Sequence, residues 1–349
     1  MKAGRPLRAL LEEVKRQEAA KEDIAIDTRE LEMRMSYQGA LMRMPGRAAP
    51  VRDIAHGQIA EHAGIPSAYY ARMRHDAPHL LTSNVNHWFR ASPERRMVRL
   101  LDGNLRAFLS ERYARIDNSN IAEAVLPVLF EVPDVQIVSA EITESRMYLK
   151  VVAPRTQQEV TVGDPVQAGV VVSNSEVGKG SVSIAPLVFR LVCDNGMIVA
   201  DRHYRRHHIG ARVAQDDALY QILSDEAKAA DAAAISLKVR DVLRAALDPA
   251  HFAETLGLLK KAKQDHLHGN PIKAMEVLAK KASLSKSEHE DVLTHLIASQ
   301  DLTRYGVVQA VTRAAQTPGD YDRATELEKL GGKVLTLSSK EWREIKTAA

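Results

Sequence analysis

At 349 residues the chain exceeds what a single hydrophobic core fills, roughly 250 to 300 residues, so two or three subdomains are expected. Apolar residues at 45% and charged residues at 27% are ordinary globular usage, which excludes wholesale disorder. A formal net charge of +3 is too small to mark a polyanion-binding protein by itself, and Cys193, the single cysteine, excludes an intrachain disulfide. No apolar run approaches the roughly 18 residues of a membrane helix, and residues 1 to 30 mix Lys, Arg, Glu and Asp unlike a signal peptide, so a cytoplasmic setting without a membrane is expected.

In chain order, Leu7, Leu10, Leu11 and Val14 recur at helical spacing and predict an amphipathic N-terminal helix within residues 1–34 that docks on the body. From 31 to 44, Met33, Met35, Met42 and Met44 alternate with polar residues up to Pro45-Gly46, which predicts a short strand or strand pair with the methionines as core. Residues 35–115 read as a basic, mainly helical region. Within it, residues 53 to 74 have the rhythm of a helix-turn-helix: Ile59, Ala60 and Ala63 form an inner face, Gly64 the turn, and Pro66 opens a second helix carrying Tyr69, Tyr70, Arg72 and Arg74. Such a pair either enters a DNA groove or packs as an ordinary unit, and Arg90, Arg95, Arg96 and Arg99 beyond it suit contacts to a nucleic-acid backbone. Residues 106 to 113 look helical.

Residues 116–213 are β-patterned. The stretches 135–142, 146–152, 159–162 and 167–173 are rich in β-branched residues and separated by breakers too close together for helical crossovers, as in an antiparallel meander that 181–193 and 197–209 extend. Asn195-Gly196 is a hairpin signal, and Cys193 after Leu191-Val192 reads as a buried thiol rather than a nucleophile. From 214 to 349 the pattern is helical, with runs at 218–246, 249–264, 272–281, 286–299, 302–315 and 321–330, the last stopped by Gly331-Gly332. The expected fold class is α+β: a central antiparallel sheet, a mixed or helical N-terminal region and a helical C-terminal region.

Charge is uneven along this order. Residues 34 to 115 carry 13 Arg and Lys against 6 Asp and Glu, whereas 116 to 186 carry 4 against 9, and basic character returns from Arg190 to Arg212. The densest cluster is Asp201-Arg202-His203-Tyr204-Arg205-Arg206-His207-His208. On a strand it presents His203, Arg205 and His207 on one face and Arg202, Tyr204, Arg206 and His208 on the other. Guanidinium forks pair with phosphate oxygens and Tyr or His rings stack on unpaired bases, so the cluster suits single-stranded nucleic acid; a charged edge guarding a hairpin from aggregation is the alternative. Lys179, in the turn Gly178-Lys179-Gly180-Ser181, joins this set as a cation beside a loop whose N–H groups can meet an anion, or it belongs to a plain hairpin. A metal-dependent nuclease drawing on Cys193, Asp194, Asp201, His203, His207 and His208 is the enzymatic alternative, although no His-Glu-x-x-His, paired Cys-x-x-Cys or dense acidic set is present.

Four stretches, Asn174-Ser175-Glu176-Val177-Gly178, Arg190-Leu191-Val192-Cys193-Asp194-Asn195-Gly196-Met197, Arg112-Tyr113-Ala114-Arg115-Ile116-Asp117-Asn118 and Tyr305-Gly306-Val307-Val308-Gln309-Ala310-Val311-Thr312, resemble the phage/plasmid-like proteins of domain-of-unknown-function family 932, over roughly residues 50 to 335. That family carries no established activity. The association of its members with phages, plasmids and integrative elements, near recombination and single-strand-binding genes, implies DNA metabolism of mobile elements. The expectation is a protein that binds DNA, single-stranded by preference, through Arg190, Arg202, His203, Tyr204, Arg205, Arg206, His207, His208 and Lys179. No catalytic residue, metal or cofactor is expected, and homo-oligomers and recombination or replication proteins are the expected partners. A non-catalytic scaffold that binds proteins through its C-terminal helices is a further alternative.

Overall fold

The computed structural model describes residues 1–199 and 225–348 except Gln38, Arg112, Ala114 and Ser181; at 225–233, 235 and 236 the backbone alone is described.

 Among the described residues are 12 helices and 11 strands in three antiparallel sheets, the α+β class expected, with helices at the C-terminal end.

The first layer is built from two small sheets and three helices. Strands β2 (Glu32–Ser36), β3 (Gly39–Met44) and β4 (Arg47–Pro50) form one sheet in that order. Its register sets Met33 opposite Met42, and Met33, Met42 and Met44 are buried as the alternation requires. Strands β1 (Lys21–Asp27), β5 (Arg95–Leu101) and β6 (Asn104–Ser110) form the second, in the order β1-β5-β6. Helices α2 (Asp53–His62), α3 (Ser67–Asp76) and α4 (Pro78–Ala91) close the core with Ile59, Tyr70, Met73, Leu81, Val85 and Phe89. The Phe89 and Phe108 rings stack at 5.6 Å between centroids. Gly64, at φ 64°, makes the turn between α2 and α3, and Tyr70 points inward to His56 rather than outward with Tyr69. Where a helix was expected from 106, the chain is a strand: Arg106 to Ser110 complete β6, whose Leu105, Ala107, Phe108 and Leu109 are all buried beside β5. A short apolar run fits either period, and pairing with β5 decides it.

The second layer is a five-stranded meander in the order β11-β10-β9-β8-β7, with β7 (Gln136–Ile142), β8 (Met147–Glu159), β9 (Pro165–Asn174), β10 (Ser183–Arg190) and β11 (Asn195–Ile198). The β10–β11 turn spans residues 191–194, with Asp194 at φ 49°, so Asn195-Gly196 is not the turn but the start of β11, opposite Arg190 and Phe189. Cys193 lies in that turn, half-buried rather than within an apolar strand. One face, through Leu149, Val151, Val170 and Val172, meets α1 (Leu7–Ala20), α5 (Asn118–Glu131) and α6 (Asp225–Ala246). Leu10 and Val14 are the buried stripe of α1, as its spacing predicts.

The C-terminal helices are α7 (Pro249–Gln264), α8 (Pro271–Ala282), α9 (Lys286–Ser299), α10 (Arg304–Ala314), α11 (Tyr321–Thr336) and α12 (Ser339–Lys346). They share a core with Val166, Ala168, Val188 and Met197 of the sheet. Gly331 and Gly332 do not end α11; they lie inside it and let it seat on β11, because a Cβ on Gly332 would collide with the Ile198 carbonyl. Tyr148, Lys150 and Val152 face away from α1 and α5, and there Lys150 donates to Glu328 of α11 at 2.6 Å with neither side chain exposed. No described helix is long and apolar enough to cross a membrane.

Candidate nucleic-acid interface

Of the residues expected to contact nucleic acid, Arg202, His203, Tyr204, Arg205, Arg206, His207 and His208 lie outside the described residues, as do Asp201 and the rest of that cluster. Arg190 is described, and its guanidinium is engaged within the fold. Its Nε donates to Asp164 at 2.5 Å, and Tyr305 donates to the other oxygen of the same carboxylate at 2.6 Å. Burial, then the bond to Asp164, pushes the Tyr305 hydroxyl's pKa up. Lys179 is exposed in the β9–β10 connection, where its N–H donates to Ser175 Oγ at 3.0 Å and its carbonyl accepts from Arg146. Among the described residues no group of three or more His, Cys, Asp or Glu is placed to hold a metal ion.

The stretches that carry the resemblance are mostly structural joints. Glu176 accepts from Arg106 at 3.0 Å and from the Asn118 N–H at 2.7 Å, tying β6 and the start of α5 to the end of β9. Arg99 is wholly buried: it donates twice to Asp23, at 2.8 and 2.7 Å, and once to the Glu176 carbonyl at 3.0 Å, so it is not a backbone-contact residue. Those bonds outweigh the cost of burial and hold the Arg99 pKa above its ordinary value. Asn195 donates to Gln309 at 2.9 Å and to Thr312 at 2.6 Å, which locks β11 to α10. A buried polar group with such partners supports the fold and needs no ligand to account for it.

A different surface gathers unburied cations. The β2–β3–β4 sheet buries its methionines on one side, and alternation leaves Glu32, Arg34, Leu41 and Arg43 on the other. Helix α4 is held beside the edge strand β2 by the Asn86 side chain, which takes both backbone groups of Met33: Oδ1 accepts from the Met33 N–H at 2.7 Å and Nδ2 donates to the Met33 carbonyl at 2.9 Å. Thr28 Oγ1 adds a bond to the Phe89 carbonyl at 2.9 Å. The result is an open groove of about 780 Å³ lined by Arg29, Arg34, Leu41, Arg43, Arg47 and Arg90, together with Glu30 and Glu32. Glu32 and Arg90 also line an adjoining hollow of about 600 Å³ with Thr82, Ser83, Asn86 and His87. Arg29 is held by Asp27 at 2.7 Å and Arg47 by Glu22 at 2.5 Å, whereas Arg34 and Arg43 share Glu32 at 2.9 and 3.6 Å with more than half of each arginine side chain exposed. The bond from Arg34 holds the Glu32 pKa below the ordinary carboxylate value. Arg90 is exposed and makes no ion pair among the described residues. His87 packs edge-on against Trp88 at 5.1 Å, and Tyr37 stands almost fully exposed at the β2–β3 turn.

Sequence reasoning passed over this face, although its signal is plain: Arg34 and Arg43 alternate with Met33, Met35, Met42 and Met44, so the pattern that buries the methionines exposes the arginines. Chemically, the face offers guanidinium forks for phosphate oxygens around an apolar floor at Leu41.

No curated protein and no solved structure matches the chain significantly. A family comparison matches residues 107–331, a span that includes the Glu176, Arg190 and Asn195 joints and lies C-terminal to the arginine face. With well over half of its length matched, the chain belongs to the family described as Domain of unknown function (DUF932).

Proposed function

We propose that the protein binds nucleic acid, single-stranded by preference, in the replication, recombination or annealing of a mobile element. The observation that carries this reading is the outer face of the β2–β3–β4 sheet, where Arg34, Arg43 and Arg90 sit exposed in one open groove. Phosphates pair with the guanidinium groups, while unpaired bases lie over Leu41 and against the rings of His87 and Tyr37. The basic segment with Arg202, Arg205 and Arg206 supplies a second contact, and Lys179 a further cation. Arg190 is left out of this contact set because Asp164 already occupies it. The mobile-element setting rests on the resemblance to phage/plasmid-like proteins alone. Assembly of several copies along a strand fits a role in annealing.

A salt series with single-stranded DNA, duplex DNA and RNA probes, each with and without chelator, tests the reading. The expected result is tightest binding to a single strand, affinity falling linearly with the logarithm of salt, and no dependence on divalent metal. Absence of binding to every probe at low salt removes it. Strand cleavage that chelator abolishes, and that His207→Ala reduces, moves the reading to a metal-dependent nuclease.

A further inference from the structure

We infer that Glu32 is a resident competitor for phosphate, a carboxylate in the floor of the groove that sets how tightly the arginine face takes a phosphodiester chain. This rests on the nucleic-acid reading above. Glu32 and Arg90 are the two residues shared by both halves of the groove, so the carboxylate stands at its middle. It accepts from Arg34 at 2.9 Å and lies 3.6 Å from Arg43, its direct cross-strand partner. The acidic partners of the two flanking arginines, Asp27 and Glu22, are not among the residues lining the groove. A guanidinium presents one fork, and a carboxylate and a phosphate each fill it, so an arriving phosphate must draw Arg34 and Arg43 off Glu32. Both pairs are exposed enough for that exchange to cost little. Glu32 then keeps only the longer-range field of Arg90, and its negative charge beside the bound strand opposes binding.

The test measures binding of a fluorescently labelled single-stranded oligonucleotide to full-length wild type, Glu32→Gln and Glu30→Gln at low salt, with a thermal melt of each. Glu30 lines the same groove, so its variant carries the same change in net charge at a neighbouring place. The expected result is that Glu32→Gln binds about threefold to tenfold tighter than wild type while melting no higher, and that Glu30→Gln gains less. Added Arg34→Ala and Arg43→Ala changes should erase the gain in the Glu32→Gln background. Unchanged or weaker binding by Glu32→Gln overturns the proposal, because the carboxylate would then merely orient the arginines. An equal gain in both variants overturns it as well, since net charge alone would account for the effect. If wild type itself binds no probe, the nucleic-acid reading falls and takes this inference with it; if wild type binds and Glu32→Gln does not tighten, only the role of Glu32 falls.

Discussion

Arg90 illustrates how one side chain separates function from stability. It ends α4 with its guanidinium in both halves of the groove and no ion pair among the described residues, so removing it leaves the core untouched. Arg90→Ala should weaken single-strand binding several-fold and flatten the log–log salt dependence by about 0.7, one phosphate contact, while the denaturation midpoint stays where it was. Lys150 is the opposite case. Burial pushes its ammonium pKa down and the Glu328 carboxyl pKa up, each offset by the other partner, and the Lys150 ammonium sits 4.6 Å from the Tyr321 ring centroid. Lys150→Met strands Glu328 without its cation and should cost about 3 to 5 kcal/mol in urea unfolding, whereas Lys150→Met with Glu328→Leu should recover most of that loss. His56 supplies a pH signal. Burial lowers its pKa to about 4 from an ordinary 6.5, so the unfolded chain takes up the proton first. The His56 contribution is complete above pH 6.5 and is lost as pH falls toward 4; melts across that window should show a decline that His56→Phe reduces.

At the scale of elements, the legible parts were those with a strong period and clear punctuation. Helices α7 and α9 follow their apolar spacing and caps to the residue, and β7 and β9 follow their β-branched runs; β8, however, runs on through Pro154-Arg155-Thr156-Gln157 to Glu159, so the strand expected at 159–162 is instead the end of β8 and the turn after it. Elements whose identity depends on a distant partner were not legible. Strand β6 needs β5 beside it, and α5 carries Pro127 inside a helix that the core around Val125, Val128 and Leu129 sustains. Gly331-Gly332 reads locally as a stop, yet contact with β11 keeps α11 helical to Thr336. Gly332→Ala should therefore lower the melting temperature strongly despite the better helix propensity of alanine, and a variant as stable as wild type would show that α11 does not lie this close to Ile198. For the candidate site, the sequence displayed the alternation of arginine and methionine but not that α4 would wall one side, because the Asn86 clamp on Met33 joins residues far apart in the chain.

Across the whole molecule, the residues of the family match and the arginine face occupy different parts of the chain. The matched span, 107–331, holds the five-stranded sheet, helices α5 to α10 and joints such as Glu176 with Asn118, which tie that framework together. The groove lies on the N-terminal layer, anchored to that framework through Arg99 and Gln58, whose side chains reach the carbonyls of Glu176 and Val177. On the proposed reading, a backbone already fixed in a sheet leaves only the arginine side chains to be ordered when a strand binds. The most direct measurement is the salt dependence of single-strand binding by Arg34→Ala/Arg43→Ala/Arg90→Ala beside wild type, with both proteins shown to be folded by their melts. The account predicts affinity lower by about tenfold or more at low salt and a log–log slope shallower by about 2. An unchanged slope and affinity in a folded triple variant would contradict it.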